Sequence, residues 1–128
     1  MKTLKKIAVI LIILVVIGFL GFKLAANKII SDAKALSFEE IDSGQLKDGE
    51  YLGNYEIFPV KVSVKTWVQN GEITQIDLLE HFNGKGAPAE KIVDDIIEKQ
   101  SLQVDAVSGA TVSSVAIKKA VEDSLLGK

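Results

Sequence analysis

Residues 7–22 carry no charge and are almost wholly apolar. Lys23-Leu-Ala-Ala26 extends this run toward the length that crosses about 30 Å of hydrocarbon, because Lys23 can snorkel to the interface. Lys2, Lys5 and Lys6 precede the run and favour a cytoplasmic N-terminus. Residues 1–26 therefore read as an uncleaved membrane anchor. A cleaved signal peptide is the rival reading. Its apolar region usually runs about 7–15 residues to a small-x-small site, whereas here Lys23 interrupts the approach and Leu24-Ala-Ala26 matches such a site poorly. On either reading the rest of the chain is exported to the extracytoplasmic side.

After the anchor, the 128-residue chain has room for one small domain with a modest core. The 15 basic residues are all Lys, whereas all 17 acidic residues begin at Asp32. The exported part carries 10 Lys against those 17 acids, a formal charge of −7. An acidic domain of this kind has no electrostatic reason to bind nucleic acid. The chain has no cysteine, which removes disulfides, thiolate metal sites, haem attachment through Cys and iron–sulfur clusters. One histidine, His81, cannot build a His-rich metal centre, so redox chemistry here requires a bound organic cofactor. A hydrolase is disfavoured for the same poverty of groups, and no nucleophile elbow is present.

Residues 27–45 read as a juxtamembrane linker, and residues 46–128 as the domain. Asp42-Ser-Gly44 is a turn signal. Val60, Val62 and Val64 alternate with Lys61, Ser63 and Lys65 in the period of a half-buried strand. Asn70-Gly71 is a strong hairpin signal that joins this strand to the next, residues 73–80. Trp67, Tyr51 and Tyr55 fall near this sheet and suit either core packing or stacking on a ring. Pro88 opens a helix with Ala89, Ile92, Val93, Ile96 and Ile97 on one face and Lys91, Asp94, Asp95 and Glu98 on the other. A second helix follows Thr111, with Ile117, Ala120, Val121, Ser124 and Leu125 set against Lys118, Lys119 and Glu122. Strands first and helices afterwards predict an α+β domain: a small antiparallel sheet with two helices on one face, preceded by the transmembrane helix.

Asp105-Ala-Val-Ser-Gly-Ala-Thr-Val-Ser-Ser114 carries the most chemistry. It sets the hydroxyl of Thr111 on a small-residue turn just before a helix. Backbone N–H groups at a helix N-terminus are unpaired and lie at the positive end of the helix dipole, so they favour a phosphate or phosphoester. Gly109 and Ala110 keep bulk away, while Ser108, Ser113 and Ser114 add hydroxyl donors. Asp105 can accept from amides of the turn. Taken alone, Ser-Gly-Ala-Thr also suits an ordinary turn and helix cap. The second stretch is His81-Phe-Asn-Gly-Lys-Gly-Ala-Pro88, where Gly84 and Gly86 permit close approach and Lys85 supplies a positive charge. It also suits a plain strand-to-helix connection.

Together these stretches resemble the FMN-binding domain family, whose members carry an Asp followed by Ser/Thr-Gly-Ala-Thr. Asp105, Ser108, Gly109, Ala110 and Thr111 occupy that pattern, and Val112-Ser-Ser114 continues it. Lys47-Asp-Gly-Glu-Tyr-Leu-Gly53 and Val60-Lys-Val-Ser-Val64 look like the family's first two strands, and Asn70-Gly-Glu-Ile-Thr-Gln-Ile76 like its turn and third strand. The resemblance spans roughly residues 46–126. It implies a covalent FMN, esterified to Thr111 by a dedicated flavin transferase that uses FAD as donor, and service as an electron-transfer protein rather than a stand-alone enzyme. Many members carry His-x-Glu-Thr-Pro-Gly where this chain keeps His81 but continues Phe-Asn-Gly-Lys-Gly. His81 is read there as a hydrogen-bonding wall of the flavin site. A non-covalent FMN carrier or sensor and a flavin-free membrane-tethered interaction module are the alternatives. The electron donor and acceptor are not legible in the sequence.

Overall fold

The computed structural model describes residues 1–82 and 86–127. The chain divides into two compact units, Met1–Asp32 and Ala33–Lys128.

Apart from Met1, the first unit lies within helix α1, Lys2–Lys34. Its apolar side chains are bare on every side: Ile10, Leu14, Ile17 and Leu20 are all more than half exposed. A helix that is apolar all round needs a protein interior or a lipid one. At 33 residues it is long and apolar enough to cross a membrane, a character that signal sequences share.

The second unit is α+β, as the sequence predicts. Strands β1 (Gly49–Ile57), β2 (Val60–Gln69) and β3 (Glu72–Phe82) form an antiparallel meander in the order β1-β2-β3. Asn70 and Gly71 turn β2 into β3 with φ of 55° and 78°, the positive values that a two-residue hairpin turn of matching twist requires. β2 alternates cleanly, with Val60, Val62, Val64, Thr66 and Val68 buried. β3 does not. Its register shifts opposite Ser63/Val64 and again opposite Trp67/Val68. Ile73, Ile76, Leu78 and His81 thereby come to pair with Val68, Thr66, Val64 and Val62.

After β3, a 3₁₀ turn at Ala87–Lys91 leads into α2, Ile92–Lys99. Gln100 ends α2 in the left-handed conformation and closes the start of β3: its side-chain amide donates to the Ile73 and Ile97 carbonyls, and its oxygen accepts from the Ile73 amide at 2.7 Å. Helix α3, Thr111–Leu126, packs across β1, β2 and the 3₁₀ turn. Its backbone comes so close to β1 that a Cβ on Gly53 would stand 2.0 Å from the Ala120 carbonyl oxygen. Thr66 and Ser124 share a buried hydrogen bond of 2.8 Å at the same contact.

α3 departs from the sequence reading in one respect. Lys118 and Glu122, expected on a solvent face, are 6% and 4% exposed. The cover comes from residues 33–45, which the sequence assigns to a linker. Phe38 and Ile41 pack against the core. The Glu39 amide donates to Glu122 Oε1 at 2.7 Å, and Gln103 Nε2 donates to the Phe38 carbonyl at 2.9 Å. α3 thus lies between the sheet and this strap.

Candidate functional site

Residues 101–110 run without helix or strand from α2 to α3, anchored by buried Leu102 and Val104. Val107 to Ala110 close a turn, with the Ala110 amide donating to the Val107 carbonyl at 3.0 Å. Gly109 sits in this turn at φ 77°, a conformation that costs glycine nothing. Its chain neighbours apart, no atom of the described residues lies within 4 Å of where its Cβ would be, so the space beside the turn is open. Ser108 and Gly109 are exposed, Ala110 is 7% exposed, and Thr111 is half-buried as the first residue of α3.

Ser114 locks the turn onto the helix. Its Oγ accepts from the Val107 amide at 2.9 Å and donates to the Ala110 carbonyl at 2.8 Å. The hydrogen bond from a turn amide that Asp105 could accept is made to Ser114 at Val107, and Asp105 is exposed. Ser113 is 2% exposed, turned into the fold on the same stripe as Ile117, Ala120 and Ser124.

The amino end of α3 has the features an anion needs. Ala110 stands at the capping position, no side chain caps the helix, and its first turn has no acidic residue. The first-turn amides and the dipole therefore have no side-chain cap and no carboxylate within the turn. A phosphoester on Thr111 fits this arrangement: the hydroxyl is at the helix end, and the positive-φ glycine leaves room for the ligand.

Two turns further along α3, on the face that carries Thr111, lies Lys118. Its Nζ donates to the Val104 carbonyl at 2.9 Å and stands 4.0 Å from the centre of the Phe38 ring. Burial pushes the Lys118 ammonium below its ordinary pKa, and the charge of Asp105 partly restores it. Sequence reasoning missed this residue. The available signal was its spacing of seven from Thr111, which puts both on one helical stripe.

The second stretch is tied to α3 through the 3₁₀ turn. Beyond the bulge opposite Ser63/Val64, His81 pairs with Val62 and its side chain is only 3% exposed, with Nδ1 2.9 Å from Glu90 Oε1. Glu90 belongs to the 3₁₀ turn, and that turn packs on the helix that begins with Thr111. Gly86 is buried, and its carbonyl accepts from the Ala89 amide at 2.9 Å as the turn begins. Gly84, with Asn83 and Lys85, lies outside the described residues. The aromatics of the sheet divide: Tyr55 packs on the core, whereas Trp67 lies on the opposite face beneath Lys65 Nζ at 5.2 Å.

No solved structure matches the chain. A family model for the FMN-binding domain matches residues 58–126, from the β1–β2 turn to the last residue of α3. The match takes in both stretches, the Thr111 turn and the His81 edge, together with the β2–β3 hairpin that supports them. With more than half its length matched, and with an uncapped helix end behind Ser108-Gly-Ala-Thr111, the chain belongs to the FMN-binding domain family.

Proposed function

We propose that this chain is a membrane-anchored, extracytoplasmic flavoprotein that carries FMN covalently on Thr111 and passes electrons between redox partners. The observation that carries the reading is the position of Thr111. Its hydroxyl stands at an uncapped helix end, beside open space at Gly109, in a domain of the FMN-binding family. Covalent attachment suits a site outside the cell, where a cofactor lost by dissociation is not recovered. The flavin supplies the electron-transfer chemistry when bound.

Thr111 acts as a nucleophile once, during maturation. Its Oγ forms a bond to the phosphorus of the FMN half of FAD, the bond from that phosphorus to the bridging oxygen breaks, and AMP leaves. The hydroxyl proton goes to a base. A Thr hydroxyl is weak at its own pKa and needs such a base. The nearest carboxylate in sequence, Asp105, is exposed and acts on Lys118, so the activating group belongs to the flavin transferase. Residues 105–109 then serve as the surface that the transferase reads.

Intact mass of the chain, made with and without an active transferase and FAD, tests the reading. Wild type gains the mass of FMN less one water, and flavin fluorescence stays with the denatured polypeptide. Thr111→Val gains nothing while keeping its fold, and Thr111→Ser retains part of the loading. Asp105→Ala and Gly109→Val fold and load slowly. Flavin that leaves on denaturation identifies a non-covalent carrier instead. Protease added to intact cells stripped of their wall reaches the domain, and a mature chain that begins near Met1 separates an anchor from a cleaved signal peptide.

A further inference from the structure

An ammonium group is expensive to bury, and a lysine only 6% exposed, Lys118, needs a reason. If filling space were its role, Met or Leu would fill the Lys118 position without that cost. The charge instead donates a 2.9 Å hydrogen bond to the Val104 carbonyl, with the Phe38 ring 4.0 Å from Nζ. Val104 is the last buried residue before the exposed stretch of Asp105, Ser108 and Gly109. The middle and the far end of that stretch are held by Ser114 Oγ, which accepts from the Val107 amide and donates to the Ala110 carbonyl. Both grips come from α3, one from its first turn and one from two turns along. The stretch is therefore an exposed loop pinned at entry and exit to the helix that bears Thr111.

We propose that Lys118 is a positioning residue for the modification of Thr111. By holding the Val104 carbonyl it sets the entry of the loop that the flavin transferase reads. The proposal rests on the covalent reading above. Phe38 is the second part of the device: its ring covers the ammonium, and its own carbonyl is held by Gln103, the residue before Val104. Strap, lysine and loop entry thus form one connected unit. Loosening it leaves the Thr111 hydroxyl and the Ser114 bonds intact, so the loss falls on recognition of the protein by the transferase and not on the chemical step.

The test is steady-state loading of the full chain in detergent or liposomes by the transferase with FAD, with the chain as the varied substrate. Lys118→Met keeps the stem and drops the ammonium. It raises KM by about tenfold, the loss expected for one hydrogen bond to a charged group, with kcat nearly unchanged. Lys118→Arg restores most of the affinity, because a cationic donor is again present. A role in stability alone predicts wild-type KM at any temperature where circular dichroism shows the variant folded. Wild-type KM in folded Lys118→Met overturns the proposal, and so does a raised KM that Lys118→Arg fails to relieve. If Lys118→Met does not fold, Phe38→Leu decides: a raised KM with native circular dichroism supports the proposal, and an unchanged one overturns it. Failure of the underlying reading shows separately, as wild type that takes up no flavin or Thr111→Val that does.

Discussion

Helices α2 and α3 pack on the same sheet and obey different rules. α2 buries Ile92, Val93 and Ile96 and turns Asp94, Asp95 and Glu98 to solvent, so polarity along its sequence reports exposure directly. α3 buries Ser113, Ser114, Lys118, Glu122 and Ser124 together with its apolar residues. The difference lies in the number of neighbours. A helix with one covered side sorts its residues by hydropathy. A helix covered by a sheet on one side and a strap on the other must place polar groups inside, and each then needs a partner. Thr66 answers Ser124, the Glu39 amide answers Glu122, and the Val104 carbonyl answers Lys118. In α3 these polar residues are structural ties, and the proposed attachment residue, Thr111, stands at the head of that tied helix.

The sharpest way to break this comparison is to push α3 off the sheet. Gly53→Val puts a side chain where backbone atoms of Ala120 and Ser124 already stand, 2.0 and 2.4 Å from the position of its Cβ. Neither is the tip of a flexible side chain, so the helix itself must shift. The expected loss is about 3 kcal/mol or more in a denaturant melt. Asp94→Ala on the outer face of α2 changes stability by less than about 0.5 kcal/mol. Equal effects from the two substitutions would show that α3 is not held as closely as Gly53 requires.

Next comes the pair Glu122→Ala and Glu98→Ala, the same chemical change on the enclosed and the open helix. Glu122 accepts from the Glu39 amide and pairs with Lys119, whereas Glu98 is exposed. Loss of the buried acceptor costs about 2 kcal/mol, and loss of the exposed one stays within about 0.5 kcal/mol. Hydrogen exchange at Glu39 sharpens the result, because its amide loses protection only in Glu122→Ala. A strap that stays protected in that variant is held by ties other than Glu122, such as Phe38, Ile41 and the Gln103 bond to the Phe38 carbonyl.

These contrasts also mark what could be read from the chain before folding. The β2 alternation, the Asn70-Gly71 turn, Pro88 at the start of the helical stretch and Thr111 at the head of α3 were legible because each is a local signal, decided by a few adjacent residues. So was the small-residue turn that leads into Thr111, whose residues are consecutive. The two bulges of β3 were not, since Glu72 to Phe82 has no glycine to announce them and they depend on the partner strand. The ties of α3 were hidden for a related reason. Glu39 meets Glu122 across 83 residues of chain, and Phe38 and Ile41 are too few and too irregular to show a period. The partnership of His81 with Glu90 likewise depends on how the chain returns after β3.

The smallest expected effect concerns the charge that enclosure leaves inside. Burial lowers the pKa of Lys118 below its ordinary 10.5, and Asp105 opposes that shift. Between the folded and the ordinary value, the unfolded chain holds a proton that the folded chain has released. Raising the pH through this interval therefore favours the folded state, and the gain is absent at lower pH, where both states keep the proton. Other groups that face Lys118 across the strap and along α3, Glu122 and Lys119 among them, are common to wild type and Lys118→Met, so subtracting the two curves isolates the lysine. The difference in urea midpoint between the two proteins, followed from about pH 8 to about pH 10, should shift in favour of wild type as the pH rises. Parallel curves would mean that the ammonium is as well solvated as those on the open face of α2, and that α3 is less enclosed than its polar ties imply.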